Sequence, residues 1–216
     1  MTEKPKVVDR TVFVAGHPRS GTSLACQLVE SAGVDFPTDF DEDEYNKEGY
    51  YELERGKEVS KDLIENAMTE ENTKEMNKVI ERLNKFEDWS GLKIVRIPAI
   101  FFYKYLAEDM KAVFIYRNPK DVKSSQLRRG ISQFGLSWAE NNNALIAAYE
   151  NIDDAILVSY ESLLSGEAFE TFEKIGLDVD ESIVDTGHRT QKNSSIVLSD
   201  KERRVYEKLQ ELEADQ

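Results

Sequence analysis

Residues 16–23, GHPRSGTS, crowd one guanidinium, three hydroxyls and two glycines into eight positions. Such a set suits an anion: hydroxyls and backbone amides donate, and Arg19 supplies charge. The spacing Gly16-x4-Gly21 is that of a nucleotide-binding loop, whose usual form is GxxxxGK[ST]. Here Thr22 stands in place of the Lys and Ser23 follows. Pro18, Arg19, Ser20, Gly21, Thr22 and Ser23 are therefore expected to cradle a phosphate-like group, but not on the plan of a kinase or ATPase.

A second set lies at residues 117–125, RNPKDVKSS. Arg117 leaves an apolar run, and Ser125 falls about two helical turns further on. Asn118, Asp121, Val122 and Ser125 share one helical face. Arg117 and Ser125 thus converge on a second anion, near the start of a helix.

These residues need elements to hold them. Residues 12–15 read as a short buried strand, and Leu24, Ala25, Leu28, Val29 and Ala32 recur at helical spacing. Gly33 sits where helices commonly stop. Strand, loop and helix start aim backbone N–H groups at one spot. Further strands are expected over 92–97, 112–116 and 155–158. Helices are expected over 53–64, 66–86, 100–106, 119–129, 137–151, 160–164, 167–175 and 200–212. The pair 53–64 and 66–86 is polar on most faces and is expected to be peripheral. Asn118 is the expected cap of the helix that Pro119 opens. Strands separated by helices imply parallel crossovers and a three-layer α/β/α domain around a central parallel sheet, of P-loop NTPase-like kind. Ligands of such sheets sit beyond the carboxyl ends of the strands, where both sets of residues would lie.

The 216 residues suit a single domain spanning 1–216. A net charge of −14 argues against nonspecific binding to nucleic acid or to anionic membranes. One Cys, Cys26, and two distant His, His17 and His188, offer no metal cluster. A Mg²⁺-dependent NTPase also needs an acid at the end of a buried strand. The strands expected here end in Arg96, Arg117 and Ser159, so no metal is expected. No stretch approaches the ~20 apolar residues of a membrane span, and the first residues lack an apolar signal core. A soluble, cytoplasmic protein is the expectation.

The combination resembles the sulfotransferases that use 3′-phosphoadenosine 5′-phosphosulfate (PAPS), in their bacterial form. Their 5′-phosphosulfate loop reads PRSGTS or PKSGTT, as residues 18–23 do. Their 3′-phosphate motif, Arg-Asn-Pro with a Ser eight residues after the Arg, matches Arg117 to Ser125. Residues 160–164, YESLL, are similar to a YEDL segment whose Tyr lies near the adenine, which implies that role for Tyr160. Residues 46–52, NKEGYYE, are similar to an NPxGYxE stretch of bacterial members. The resemblance implies transfer of a sulfuryl group from PAPS to a hydroxyl or amine of a small-molecule or carbohydrate acceptor, leaving 3′,5′-ADP. It also implies that Arg19 stabilises charge on the leaving oxygen.

Two departures stand out. Eukaryotic members carry a Lys-Thr-His segment whose His is the general base, and residues 93–98, KIVRIP, have no His. Glu52 takes that role by resemblance to bacterial relatives, with Glu48 and Glu44 behind it. The family's C-terminal phosphate-binding segment is matched only by Arg189 and Lys192. Two other readings compete: a divergent P-loop kinase, which needs the missing Lys and acid, and a non-catalytic adenine nucleotide-binding module.

Overall fold

The computed structural model describes residues 4–39, 51–130, 135–184 and 195–216. Among them, four strands form one parallel sheet in the order β2-β1-β3-β4: β1 is Val8–Gly16, β2 Ser90–Ile94, β3 Ala107–Tyr116 and β4 Ala155–Ser159. The strands read as near-continuous apolar runs because both faces are covered, as parallel sheets require. Alternate residues serve opposite layers. Phe13, Ala15, Phe114, Tyr116 and Leu157 point into one apolar cluster, and Val12, Val14, Val113, Ile115 and Val158 into the other.

The second layer is made by α1 (Thr22–Ser31), α7 (Tyr160–Ser165) and α8 (Phe169–Glu173), which supply Leu28, Val29, Leu163 and Phe172. The first is made by α2 (Glu54–Asn66), α3 (Glu70–Leu83), α4 (Ile100–Lys104), α6 (Trp138–Tyr149) and α9 (Asp200–Ala214). The remaining helix, α5 (Pro119–Arg128), follows β3 directly. This is the three-layer α/β/α architecture of the P-loop NTPase-like folds. No helix among the described residues is long and apolar enough to cross a membrane.

Several elements differ from the sequence reading, each for a physical reason. The helices α2 and α3 are not peripheral. Val59, Leu63, Met76, Val79, Ile80 and Leu83 are all buried in the first cluster. The narrow stripe of α3, at 76, 79, 80 and 83, and the pair at 59 and 63 of α2 are masked in the sequence by the charges around them. The expected helix 66–86 starts only at Glu70, because Thr69 and Asn72 form a capping box: Asn72 N–H donates to Thr69 Oγ1 at 3.2 Å, and the Asn72 side chain accepts from Thr69 N–H. The second strand ends at Ile94 and not at 97; Ile97–Ala99 forms a 3₁₀ turn around Pro98. The strands β1 and β3 begin earlier than their apolar runs, because Val8 to Thr11 pair with Ala107 to Met110.

The order β2-β1-β3 places the reversal of the chain's winding between β1 and β3. The segments that leave these two strands meet there, at the carboxyl end of the sheet. The far side of this end is secured by α9. Its Glu213 accepts from Ser159 N–H at 2.7 Å and Ser162 Oγ at 2.6 Å, and from Tyr116 Oη.

Candidate functional site

The loop after β1 is fixed by its own backbone. A Cβ at Gly16 would lie 2.5 Å from the Ile115 carbonyl and 2.8 Å from Thr22 Cγ2, so β1 can end against β3 and α1 only with glycine there. The N–H of Ser20 donates to the His17 carbonyl at 3.0 Å, closing a turn. Arg19 then takes φ 75° and Gly21 φ 96°. The left-handed region costs a non-glycine residue about 1–2 kcal/mol. Strain of this kind gathers where a loop must present its amides to a ligand. Gly21 precedes helix α1 and offers no side-chain cap, so the N–H groups of the helix's first turn are available to an anion. Ser20 Oγ is buried and has no hydrogen-bond partner among the described residues. A buried hydroxyl without a partner costs on the order of 1–3 kcal/mol, and a phosphate-like oxygen at this loop would relieve it.

The second expected set comes to the same place. Arg117, 6% exposed, reaches from the end of β3 to the loop, and its Nη1 donates to the Arg19 carbonyl at 3.4 Å. Arg19 Nε donates to Ser125 Oγ at 3.2 Å. The two predicted anion sites are therefore joined, Arg19 bridging from the first to the second. Tyr160, at the start of α7, lies under the Arg117 guanidinium with 4.2 Å from Cζ to the ring centroid. The same ring covers Gly21, where a Cβ would be 2.4 Å from Tyr160 Cδ2. Pro18 is half-buried in the loop, and Thr22 is buried beneath it. Arg189, Lys192, Glu44 and Glu48 lie outside the described residues.

A third cation was not singled out from sequence. Lys93, on β2 with its side chain 3% exposed, donates to Ser23 Oγ at 3.0 Å. It pairs with Glu52 at 3.4 Å, and Glu52 pairs with Lys57 at the same distance. Glu52 is thus held at the rim of the loop, two contacts from Ser23. Arg96, in the segment that follows β2, donates to the Lys57 carbonyl at 2.8 Å. The parallel register Val14↔Lys93 brings Lys93 beside the carboxyl end of β1. That register is the signal that could have found it, and local patterning does not carry it.

His17 was expected only as a loop residue. The ring is buried between Gln126 of α5 and Asn141 of α6, each 3.3 Å away, and burial pushes its pKa down to about 4. Cys26, on α1, is fully buried, and burial pushes its thiol up to about 12, which leaves it unreactive at neutral pH. Among the described residues no group of three or more His, Cys, Asp or Glu is placed to hold a metal.

Comparison with known proteins adds to this geometry. The family model for the sulfotransferase domain matches residues 9–172, which takes in the loop, the Arg117–Ser125 set and Tyr160. No curated protein matches the sequence. Among solved structures, the sulfotransferase domain of the Synechococcus PCC 7002 olefin synthase aligns with a TM-score of 0.61 at 15% identity, over 97% of this chain and 98% of that one. A sulfotransferase domain from the curacin biosynthetic pathway aligns with a TM-score of 0.56 at 14% identity, over 96% of this chain and 98% of that one. At these identities the alignments speak for the fold.

Proposed function

The chain belongs to the sulfotransferase family, and we propose that it moves a sulfuryl group from PAPS to a hydroxyl or amine of a small-molecule or carbohydrate acceptor, releasing 3′,5′-ADP. One observation carries the reading. An uncapped helix start beside a buried hydroxyl, Ser20, that has no partner among the described residues lies directly against a second cationic set, Arg117 with Ser125. A donor with phosphate groups at both its 5′ and 3′ ends matches two joined anion sites; a nucleoside triphosphate does not need the second.

In this reading the amides of Ser20 to Thr22 and the hydroxyls of Ser20, Thr22 and Ser23 hold the 5′-phosphosulfate. Arg117 and Ser125 hold the 3′-phosphate by charge-assisted bonds. Tyr160 packs beside the nucleotide while steadying Arg117. The acceptor oxygen or nitrogen bonds to sulfur as the bond from sulfur to the 5′-phosphate oxygen breaks, and the electron pair leaves on 3′,5′-ADP. Arg19 neutralises charge on that leaving oxygen, and Lys93, beside Ser23, adds a second cation to the same end. Glu52, at the rim, takes the acceptor proton. Its two ammonium neighbours hold the carboxylate in place.

Calorimetric titration with 3′,5′-ADP and 5′-AMP tests the assignment. Charge-assisted bonds to a second phosphate are worth about 1.5–3 kcal/mol each, so 3′,5′-ADP is expected to bind at least ~10-fold more tightly. Equal affinity would remove Arg117 and Ser125 from the donor site.

A further inference from the structure

His17 occupies a more central place than a loop residue requires. The Asn141 amide beside it has one possible orientation. Its Oδ1 accepts from Ile97 N–H at 3.2 Å, and its Nδ2 donates to the Val95 carbonyl at 2.9 Å. The same Nδ2 faces His17 Nδ1 at 3.3 Å. Two donors cannot face one another, so Nδ1 presents its lone pair and the ring proton sits on Nε2. Nε2 faces the Gln126 amide at 3.3 Å, and that amide must then turn its oxygen to the ring. The two amides that face this imidazole lead to different parts of the candidate site. Its own carbonyl closes the loop through Ser20 N–H. Gln126 is next to Ser125 on α5, and Asn141 holds the segment that leaves β2 just beyond Lys93.

We propose that His17, as the neutral Nε2–H tautomer, is a positioning residue that sets the separation between the loop and α5, and so the selectivity for a nucleotide carrying two phosphate groups. The inference rests on the reading of the loop as the 5′ site and of Arg117 with Ser125 as the 3′ site. His17 touches neither phosphate. Its effect is on spacing: a ligand gains from a second charged contact only when both contacts are held at the right distance before it binds. The ring reaches α5 directly through Gln126, in addition to the Arg19–Ser125 hydrogen bond, which the ligand itself competes for. The tautomer matters because a proton on Nδ1 would oppose an amide that cannot turn away.

The experiment measures Kd for 3′,5′-ADP and for 5′-AMP on wild type, His17→Phe and Gln126→Leu, with melting temperatures, and records ¹⁵N NMR of the imidazoles in wild type. The chain has two His, so the assignment is short. The expected result is a preference for 3′,5′-ADP that falls ~10-fold in both variants, the scale on which small displacements at a site are felt, with the Nε2–H tautomer seen at pH 7. An unchanged preference, whether or not the melting temperature falls, makes His17 a packing residue and overturns the proposal. So does a ring protonated on Nδ1, or on both nitrogens, at pH 7. If His17→Phe does not fold, Gln126→Leu and the wild-type spectrum decide. A wild type with no preference for 3′,5′-ADP sinks the two-site reading itself, which is distinct from a wild type that shows the preference and a variant that keeps it.

Discussion

Of the helices that start at the carboxyl end of the sheet, α1 and α5 are built in opposite ways. Helix α5 is closed on itself: Asn118 accepts from Lys120 N–H at 3.0 Å, and Pro119 needs no N–H partner. Helix α1 has no such cap. Gly21, at its cap position, brings no side chain, and the residue before it buries a hydroxyl with no partner among the described residues. Four other helices carry capping boxes, at Thr69–Asn72, Ser137–Glu140, Ser159–Ser162 and Ser199–Glu202, whereas α2, α4 and α8 start without a side-chain cap as α1 does. What sets the start of α1 apart is the buried Ser20 hydroxyl beside it, which has no partner among the described residues. On the proposed reading, backbone donors at the end of β1 hold an oxyanion, and the side chains of Arg117 and Ser125 at the end of β3 add selectivity for where the other phosphate sits.

Breaking each side in turn separates these roles, the largest effect first. Arg19→Ala is expected to lower turnover with PAPS by about 100- to 1000-fold, the usual loss when one preorganised donor to a developing charge is removed. The affinity for 3′,5′-ADP falls little, because that product lacks the sulfuryl group. Initial rates and calorimetry on the same preparations check this, and a matching loss in both would make Arg19 a binding residue. On the other side, Arg117→Ala is expected to weaken 3′,5′-ADP by roughly 2–4 kcal/mol while 5′-AMP barely changes. Equal losses for the two nucleotides would mean that Arg117 is structural.

The link between the two sides is expected to show in the pH dependence of stability. Burial lowers the pKa of His17 from 6.5 to about 4. Between those values the unfolded chain takes up a proton that the folded chain refuses, so this group's contribution falls as pH drops from about 6.5 to 4 and is fully present above that window. The loss amounts to roughly 3 kcal/mol at the acid end. Denaturant titrations of wild type and His17→Gln at pH 7 and pH 4.5 check it; a pH dependence identical in the two proteins would place the acid sensitivity elsewhere. The smallest effect belongs to the closed helix. Asn118→Ala is expected to cost about 1 kcal/mol of stability, read from a denaturant midpoint, and to leave the preference for 3′,5′-ADP intact.

The two sets of the candidate site were more legible in the sequence than the links between them. The loop and the Arg117–Ser125 set are local: each runs from a strand end into the first turns of the helix that follows, with residue types suited to an anion. Asn118 and Pro119 announce the start of α5 in the same way. The contacts of Lys93 with Ser23, and of His17 with Gln126 and Asn141, span 70 to 124 residues of chain. They depend on strand register and helix packing, which no short window contains. The burial of α2 and α3 was hidden for a related reason. A stripe of four apolar residues is enough for a helix that packs on one side only, and the charges around it dominate any average.

The central claim is that the open start of α1 and the Arg117–Ser125 set together take PAPS, and that the reaction needs no metal-held nucleoside triphosphate. The direct measurement supplies ³⁵S-labelled PAPS with EDTA in one arm, and γ-labelled ATP with Mg²⁺ in the other, each with the same panel of hydroxyl and amine acceptors. Label transferred from PAPS in the presence of EDTA, with none from ATP, is the result expected. Label transferred from ATP only, and only with Mg²⁺, would contradict the account and restore the kinase reading.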